Sequence, residues 1–579
     1  MKNTPTPRSQ TSMSGEPAKA GIPRRTVMKG AAWSVPVIAT AITVPAAAAS
    51  TRDQGLILPP SATGMYGGGW TITGIIDQKT GYAPSAVATQ LTAVRIPVRI
   101  VPAAAVVVNV TITGRGYSLH PVPDAAGFDP QVAGHSVTVT TDASGNAMVF
   151  VAVPPYGQGD ASATVVASAD GLDPATTIVK AYPGYVYTIG GHTPEGQTAN
   201  GLVTNAPRYP TPWPIQEHAE VYGSLSSVMA ITKSGRVYTS GYNPYAEVAT
   251  GDTVDRHAAG EALKDDGSVF TNAVRAVIGK HGSEEGVFMI EDANGQFWAS
   301  GENYANYLQI PGASTAYHTN KRFVKVGGAL PGRPVWASYP RNNQVMIWTL
   351  ADGTVWAAGI GTNAYGNGVG FDTAPAGGPG LRQLLDKDGA PVTGVRKAVQ
   401  SNDTALLVLK EDGTLWYATE ATPLGARPAD YTDVDHLQQI SPPPGGAAVA
   451  DIWPHQPYGS PAGFFAHMSD GSVWAFGGNE FGIFGNGDTA DTREWVRAQV
   501  DNVVQGGSGA DSLILLDGNG EAWYSGLNEE NACGLAEKPW SVPISTPVKI
   551  TSLPPKVTSV AATWWDATLA SVDSPGPQG

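Results

Sequence analysis

The chain has 579 residues, of which 42% are hydrophobic and 15% charged, with 70 glycines and 46 prolines. That mixture excludes a wholly disordered chain and suits two or three domains built from short strands and tight turns. The net charge is −14, and residues 1–29 hold six basic residues and one acid, which leaves 29 basic against 48 acidic, or −19, for the remainder. A body that acidic repels phosphate backbones and anionic lipid, so nucleic acid is not an expected partner.

In chain order, the first element is a targeting segment. Arg24-Arg25-Thr26-Val27-Met28-Lys29 precedes an uncharged run over 30–50, with small residues at 46–49. The Arg24-Arg25 pair before a moderately apolar run resembles a bacterial twin-arginine signal. The resemblance implies export of an already folded protein, with cleavage near Ala49 and a secreted or cell-surface location. A chain with one cysteine, Cys533, can form no intramolecular disulfide and no cysteine-based metal site, and that suits such a route. Cys533 itself reads as a small buried residue. No later run is apolar and long enough to span a bilayer, so no transmembrane segment is expected in the mature chain.

Residues 50–183 alternate with a period of two in "GWTITGII", "AVRIPVRIV", "AVVVNVTITG", "HSVTVTTD", "NAMVFVAVPP" and "ASATVVASADG", which predicts a β-sandwich. The stretch 137–169 resembles the end of a bacterial immunoglobulin-like domain of the adhesin type, which implies a spacer or adhesive module. Ala181-Tyr182-Pro183-Gly184 is the expected junction with the next domain.

Residues 184–572 are a repeat array. "MAITKSGRVYTSG", "FMIEDANGQFWASG", "MIWTLADGTVWAAG", "LLVLKEDGTLWYAT", "FFAHMSDGSVWAFG" and "LILLDGNGEAWYSG" align on Gly235, Gly295, Gly353, Gly413, Gly471 and Gly520, spaced by 60, 58, 60, 58 and 49 residues. Each copy is a predicted hairpin whose turn needs positive φ. The second strand of each carries an aromatic (Tyr238, Trp298, Trp356, Trp416, Trp474, Trp523), a regularity that favours packing between repeats over ligand binding. A strand such as "AEVYG" at Ala219 or "ADIWP" at Ala450 precedes most hairpins, and Gly-x-Asn follows most of them, at 241–243, 301–303, 361–363, 477–479 and 526–528. The Asn is expected to close its loop through backbone contacts. "GYVYTIGG" at Gly184 and "VTSVAATWWDATLA" at Val557 are two half-repeats that join into one. The predicted fold is therefore all-β: a seven-bladed β-propeller closed by both ends of its segment, preceded by an immunoglobulin-like β-sandwich, with a disordered tail at 573–579.

This pattern of apolar strand, Asp/Asn-Gly turn, aromatic strand and Gly-x-Asn resembles the regulator-of-chromosome-condensation repeat family. The family implies the propeller, but not one function. One secreted bacterial branch of it inhibits β-lactamases by covering their active-site mouth, a precedent for an extracellular protein-binding propeller. This chain departs from the family at Thr419-Glu420, where Gly-x-Asn is expected, and in the Gly-Gln-Leu-Gly loop, which survives only as Phe481-Gly482-Ile483-Phe484-Gly485.

No motif of nucleophilic, metal-dependent or phosphate-binding catalysis is present, so no catalytic residue, metal or cofactor is assigned. The Asp-rich turns lack calcium-loop spacing and read as turn chemistry. The candidate binding residues are aromatics in and before the divergent loops: Tyr242, Tyr245, Tyr304, Tyr307, Tyr365, Trp453, Tyr458, Phe481 and Phe484. Tyr and Trp bury much area at little entropic cost. The expected partner is an extracellular or cell-surface protein, bound for adhesion or inhibition; a glycan partner and an axial hydrolase or lyase site are the alternatives.

Overall fold

The computed structural model describes residues 55–66, 93–121, 135–191, 199, 209–278, 286–339, 345–359, 381–401, 405–419, 427–432, 436–455, 462–535, 538, 541–564 and 567–575. Arg24, Arg25 and the export segment lie outside them, as do the strand expected at "GWTITGII", Tyr365 and Tyr458.

The hairpins form for the reason the turn residues suggest. All six turn glycines have φ between 75° and 83°. In three turns Asp352, Asp412 and Asp470 accept the amide and the hydroxyl of Thr354, Thr414 and Ser472. Those hydroxyl oxygens accept the indole N–H of Trp356, Trp416 and Trp474, each at 3.0 Å. The hydroxyl bond first, and then the amide, holds each of the three carboxylates below the usual range. In two other turns Asp292 and Asp517 take the indoles of Trp298 and Trp523 directly, at 3.0 and 3.2 Å. Each turn thus satisfies the one polar atom of its tryptophan, and the rings pack against the apolar clusters between sheets.

Among the described residues of 186–572 there are seven four-stranded antiparallel sheets. Counting the split repeat as the first, sheets two to seven span 219–261, 273–325, 334–383, 395–440, 449–497 and 503–549. Each runs in order from a leading strand, through the hairpin, to an outer strand. The first, closing sheet takes its leading strand Val557–Ala562 and second strand Ala567–Val572 from the C-terminal end. Its third strand, Val186–Gly190, and its outer Thr211–Pro212 come from the start of the array. The leading strands touch in succession, Ala273–Ile278 to Pro334–Ser338 and onward to Val557–Ala562, which touches Ala219–Gly223 of the second sheet.

A β-bulge sits at one position in six leading strands, between 273/275, 334/336, 395/397, 449/451, 503/505 and 557/559. The residue after it reaches the neighbouring sheet. Arg275 donates to Val335 O at 3.0 Å. The Lys397 ammonium lies 3.9 Å from the Trp336 ring centre and 2.8 Å from Asp451. Gln505 donates to Val560 O at 2.9 Å, and Ser559 Oγ accepts the amide of Val221.

The N-terminal strands form two sheets. One orders Gly55–Ile57, Val94–Val101, Asn146–Ala152 and Ser118–His120; the other orders Ser61–Met65, Ala175–Tyr182, Ser162–Ser168, Val107–Thr113 and Ser136–Thr140. Alternate residues, among them Ile96, Val98, Val108, Val110, Val149, Val151 and Val165, fill one shared core. The first residues of the expected tail are held: Asp573 N donates to Lys556 O, and Ser574 Oγ donates to Pro183 O. Residues 576–579 lie outside the described residues.

Two tests follow from this packing. Gly301 has φ 99°, and an added Cβ would stand 1.8 Å from Gly286 O. Gly301→Ala is expected to lower unfolding stability by at least about 2 kcal/mol. Gly312→Ala, also at positive φ but with nothing near the added carbon, is expected to cost about 1 kcal/mol; equal losses in thermal melts would refute the role of the close approach. The second test concerns His455, buried at the end of a leading strand with its Nε2 donating to Ala510 O of the next sheet at 2.7 Å. Burial pushes its imidazole down to about 4. The unfolded chain protonates it near pH 6.5, so its contribution is complete above that pH and is lost as the pH falls toward 4, by up to about 3 kcal/mol. His455→Gln should flatten the fall in melting temperature between pH 6.5 and 5; an unchanged slope would exclude His455 as its source.

Candidate functional site

Strand alternation puts two kinds of connection on one face, opposite the Asp/Asn/Ser-Gly turns: those joining leading to second strands, and the Gly-x-Asn loops. The Asn side chain is the organiser of each loop. Asn243, Asn303, Asn479 and Asn528 accept, through Oδ1, the amide five residues on: Val248 at 2.9 Å, Leu308 at 3.2 Å, Phe484 at 2.9 Å and Cys533 at 3.1 Å. The amides of Asn243 and Asn479 donate to Asp255 and Asp491, at 2.9 and 2.8 Å. Those aspartates end two copies of Gly-Asp-Thr-x-Asp, at 251–255 and 487–491, a motif that the reading of the sequence above did not use. In the fourth repeat the glycine paired like Gly241 and Gly477 is Gly359, so Gly361-Thr362-Asn363 begins two residues too late and lies outside the described residues.

The loops look divergent in sequence but share a backbone. Two left-handed residues recur at the same spacing: Ala246 and Ala249, Asn306 and Gln309, Gly482 and Gly485, Asn531 and Gly534. Both residues between them turn inward, and all eight are buried: Glu247, Val248, Tyr307, Leu308, Ile483, Phe484, Ala532 and Cys533. The first carbonyl of three of these pairs is tied to the following sheet, Glu247 O by Ser300 Oγ at 2.6 Å, Tyr307 O by Trp348 Nε1 at 3.1 Å and Ile483 O by Ser525 Oγ at 3.0 Å.

This geometry divides the candidate aromatics. Tyr307 and Phe484 occupy inward positions, and Tyr307 packs on Tyr339 at 5.1 Å between ring centres. Trp453, on the leading strand Val449–His455, is buried and stacked on Phe465 at 5.4 Å. These three are core residues because the chain needs apolar mass at the seams, and they offer no surface. Tyr242, Tyr245, Tyr304 and Phe481 are half-buried. The rings of Tyr242 and Tyr245 meet edge to face at 6.3 Å and pack on a small cluster of Leu225, Ala510 and Trp564, drawn from three adjacent sheets. Tyr304 lies 5.5 Å from Tyr317, which is 48% exposed and which sequence reasoning missed for want of any repeat register.

One ionisable group stands apart. Glu247 is the only charged residue type among the eight inward positions, and Ser227 Oγ lies 3.0 Å from its Oε1. Burial pushes its carboxyl up to about 8; the bonds from its own amide and from Ser227 oppose this, and the charges of Glu302 and Asp255 add to it. The histidines nearest the leading strands are engaged with backbone carbonyls, His455 with Ala510 and His467 with Val503. Among the described residues no three His, Cys, Asp or Glu side chains converge as a metal site.

No family model and no curated protein matches the sequence. Solved structures do. Prp20p from Saccharomyces cerevisiae, described with its binding properties to Gsp1p and histones, is 12% identical, with a TM-score of 0.53 over 68% of this chain and 92% of that one. A structure of Kap60 bound to yeast RCC1 (Prp20) matches at 13% identity and 0.51 over 69% and 90%. Human WBSCR16 matches at 14% identity and 0.51 over 67% and 98%. The likeness is one of fold: the repeat array of this chain is an RCC1-type β-propeller.

Proposed function

We propose that this chain is an exported, non-catalytic binding protein that takes a partner protein on the face carrying the Gly-x-Asn loops. The observation that carries the reading is the half-buried aromatic set Tyr242, Tyr245, Tyr304 and Phe481 on that one face, with Tyr317 beside Tyr304. Rigid aromatics that are already partly ordered lose little entropy on binding. Two of the three solved structures are described through proteins bound, Gsp1p and histones for Prp20p and Kap60 for yeast RCC1 (Prp20), which supports an interaction role without naming a partner here.

The seven sheets are then the blades of one ring, closed by the sheet built from both ends of the array. The two N-terminal sheets are an immunoglobulin-like spacer that holds the ring away from an envelope or a second adhesive contact. The Arg24-Arg25 segment supports delivery by the twin-arginine route to the cell surface or the medium. No helix among the described residues is long and apolar enough to cross a membrane.

The test is affinity capture from the envelope and culture medium of the producing organism with residues 50–579 as bait, beside the same chain carrying Tyr242, Tyr245, Tyr304 and Phe481→Ala. A protein held by the first should bind the second at least about 30-fold more weakly, since aromatic anchors each contribute about 1–2 kcal/mol. Equal retention by both baits would move the site off this face. A glycan retained in place of protein would favour the carbohydrate reading.

A further inference from the structure

Six of the seven sheets join their second and third strands by an Asp/Asn/Ser-Gly turn. In the closing sheet that place is taken by two separate stretches of chain, one entering at 183–186 and one leaving at 572–575. The bond that starts each turn is kept: Val572 N donates to Tyr185 O at 2.8 Å, as Lys410 N does to Thr414 O and Asp517 N to Glu521 O at 3.0 Å. The bond from the turn to the leading strand is kept too, with Asp573 N donating to Lys556 O where Gly518 N donates to Asn502 O, both at 2.8 Å. The turn is thus rebuilt without a covalent link, and the entering stretch carries the N-terminal pair of sheets. We infer that residues 571–574 act as a clasp that holds those two sheets at a fixed angle on the turn face of the propeller, with the Gly-x-Asn loops on the face away from them.

The junction is short, and its backbone is held. Only residues 183–185 separate Tyr182, the last of the strand Ala175–Tyr182, from Val186, the first of the propeller strand. Pro183 O accepts Ser574 Oγ, Gly184 N donates to the Tyr187 hydroxyl at 2.6 Å, and Tyr185 O accepts Ser571 Oγ at 3.1 Å beside Val572 N. Gly184 is buried, and Pro183 and Tyr185 are half-buried. A hinge between domains needs exposed backbone that is free to turn, and proline has its φ fixed besides. Side chains of the N-terminal sheets join at the same place. Tyr182 hydrogen-bonds the side chain of Gln216 on the propeller. Tyr66 N donates to Tyr182 O at 2.8 Å, and a Cβ on Gly184 would stand 3.1 Å from Met65 Sδ. Asp573, within the clasp, lies 3.4 Å from His218 and 4.0 Å from Lys556. Those side chains are exposed, so the ion pairs add little and the weight falls on the bonds to backbone. The fixed angle does not depend on the binding face proposed above. Its consequence for presentation does: a partner on the loops would be held away from whatever the N-terminal sheets touch.

The test uses the whole chain with spin labels on introduced cysteines, the native Cys533 being buried. Thr138→Cys on the N-terminal sheets with Lys387→Cys on the propeller reads the angle. Lys387→Cys with Thr489→Cys reads the propeller alone, and all three positions are exposed. The intact chain should give one narrow distance distribution for the first pair. Removing residues 573–579 should broaden that distribution and leave the second pair narrow. Tyr187→Phe should speed exchange of the Gly184 amide at least about fivefold, the effect of one lost hydrogen bond. Combined with Ser574→Ala it should broaden the first pair as the shortening does, and this double variant decides the matter if the shortened chain does not fold. A broad first-pair distribution in the intact chain, or one that stays narrow in either variant while the second pair is intact, would overturn the inference. Equal retention of a partner by the aromatic variant, with the first pair narrow, would count against the binding face alone.

Discussion

Val186–Gly190 pairs with Ala567–Val572 across almost the whole repeat array, and every seam between sheets relies on that pairing. A repeat sheet buries apolar side chains on both faces, so it is stable only with a neighbour on either side. Seven such sheets have no end to cap if the last meets the first. The pairing does this with ordinary antiparallel hydrogen bonds, backed by Ser571 Oγ donating to Tyr185 O across 386 residues. The loop-closure entropy is large but grows only slowly with length, whereas an open array would leave the apolar flanks of the second and seventh sheets in water.

Closure brings the leading strands together, and there the chain uses polar chemistry in place of more apolar mass. The bulge gives each strand one side chain that leaves its own pleat, and the residue after it bridges to the neighbouring sheet in five of the seams. Lys397 shows the balance. Its side chain is 9% exposed, and an ammonium so placed is costly unless it is paired. Asp451 on one side and the face of Trp336 on the other supply that pairing. Such contacts add less to stability than to register, since a strand slipped by one residue would place the wrong group at the seam. A second set of small polar side chains, Ser401 and Ser508, acts at the other end of the same strands, donating to His455 O and Pro454 O of the sixth sheet.

The hairpins, the leading strands and the split repeat were legible because each rests on residues with one job: glycine at positive φ, tryptophan at a seam, an apolar strand covered on both faces. The outer strands were not. Arg256–Glu261, His318–Lys325 and Thr492–Arg497 are polar and half exposed, so neither apolar alternation nor a turn signal marks them, and only pairing with the third strand makes them strands. The leading strand Pro334–Ser338 was missed for a related reason, since its bulge and opening proline break the alternation. The loops misled in the opposite sense. Ala246, Ala249 and Gln309 hold left-handed conformations that glycine takes freely, so a loop that had lost its glycines in sequence had kept its shape. With that shape hidden, Tyr307 and Phe484 could not be told from surface aromatics.

The strain in those loops bears on why one of them carries an acid. A non-glycine residue in the left-handed region costs of order 1 kcal/mol, and Ala246 and Ala249 incur it twice where Gly482 and Gly485 incur little. The same loop then buries a carboxyl at a position where its counterparts bury tyrosine, isoleucine and alanine. Neither choice helps the ring to stand, and an apolar residue at 247 would pack there at lower cost. Both fall on the loop that begins with Tyr242, at the place where three sheets meet beneath its ring. That loop therefore has less apolar mass beneath it than its counterpart at 482–485, where Ile483 and Phe484 fill the same two inward positions.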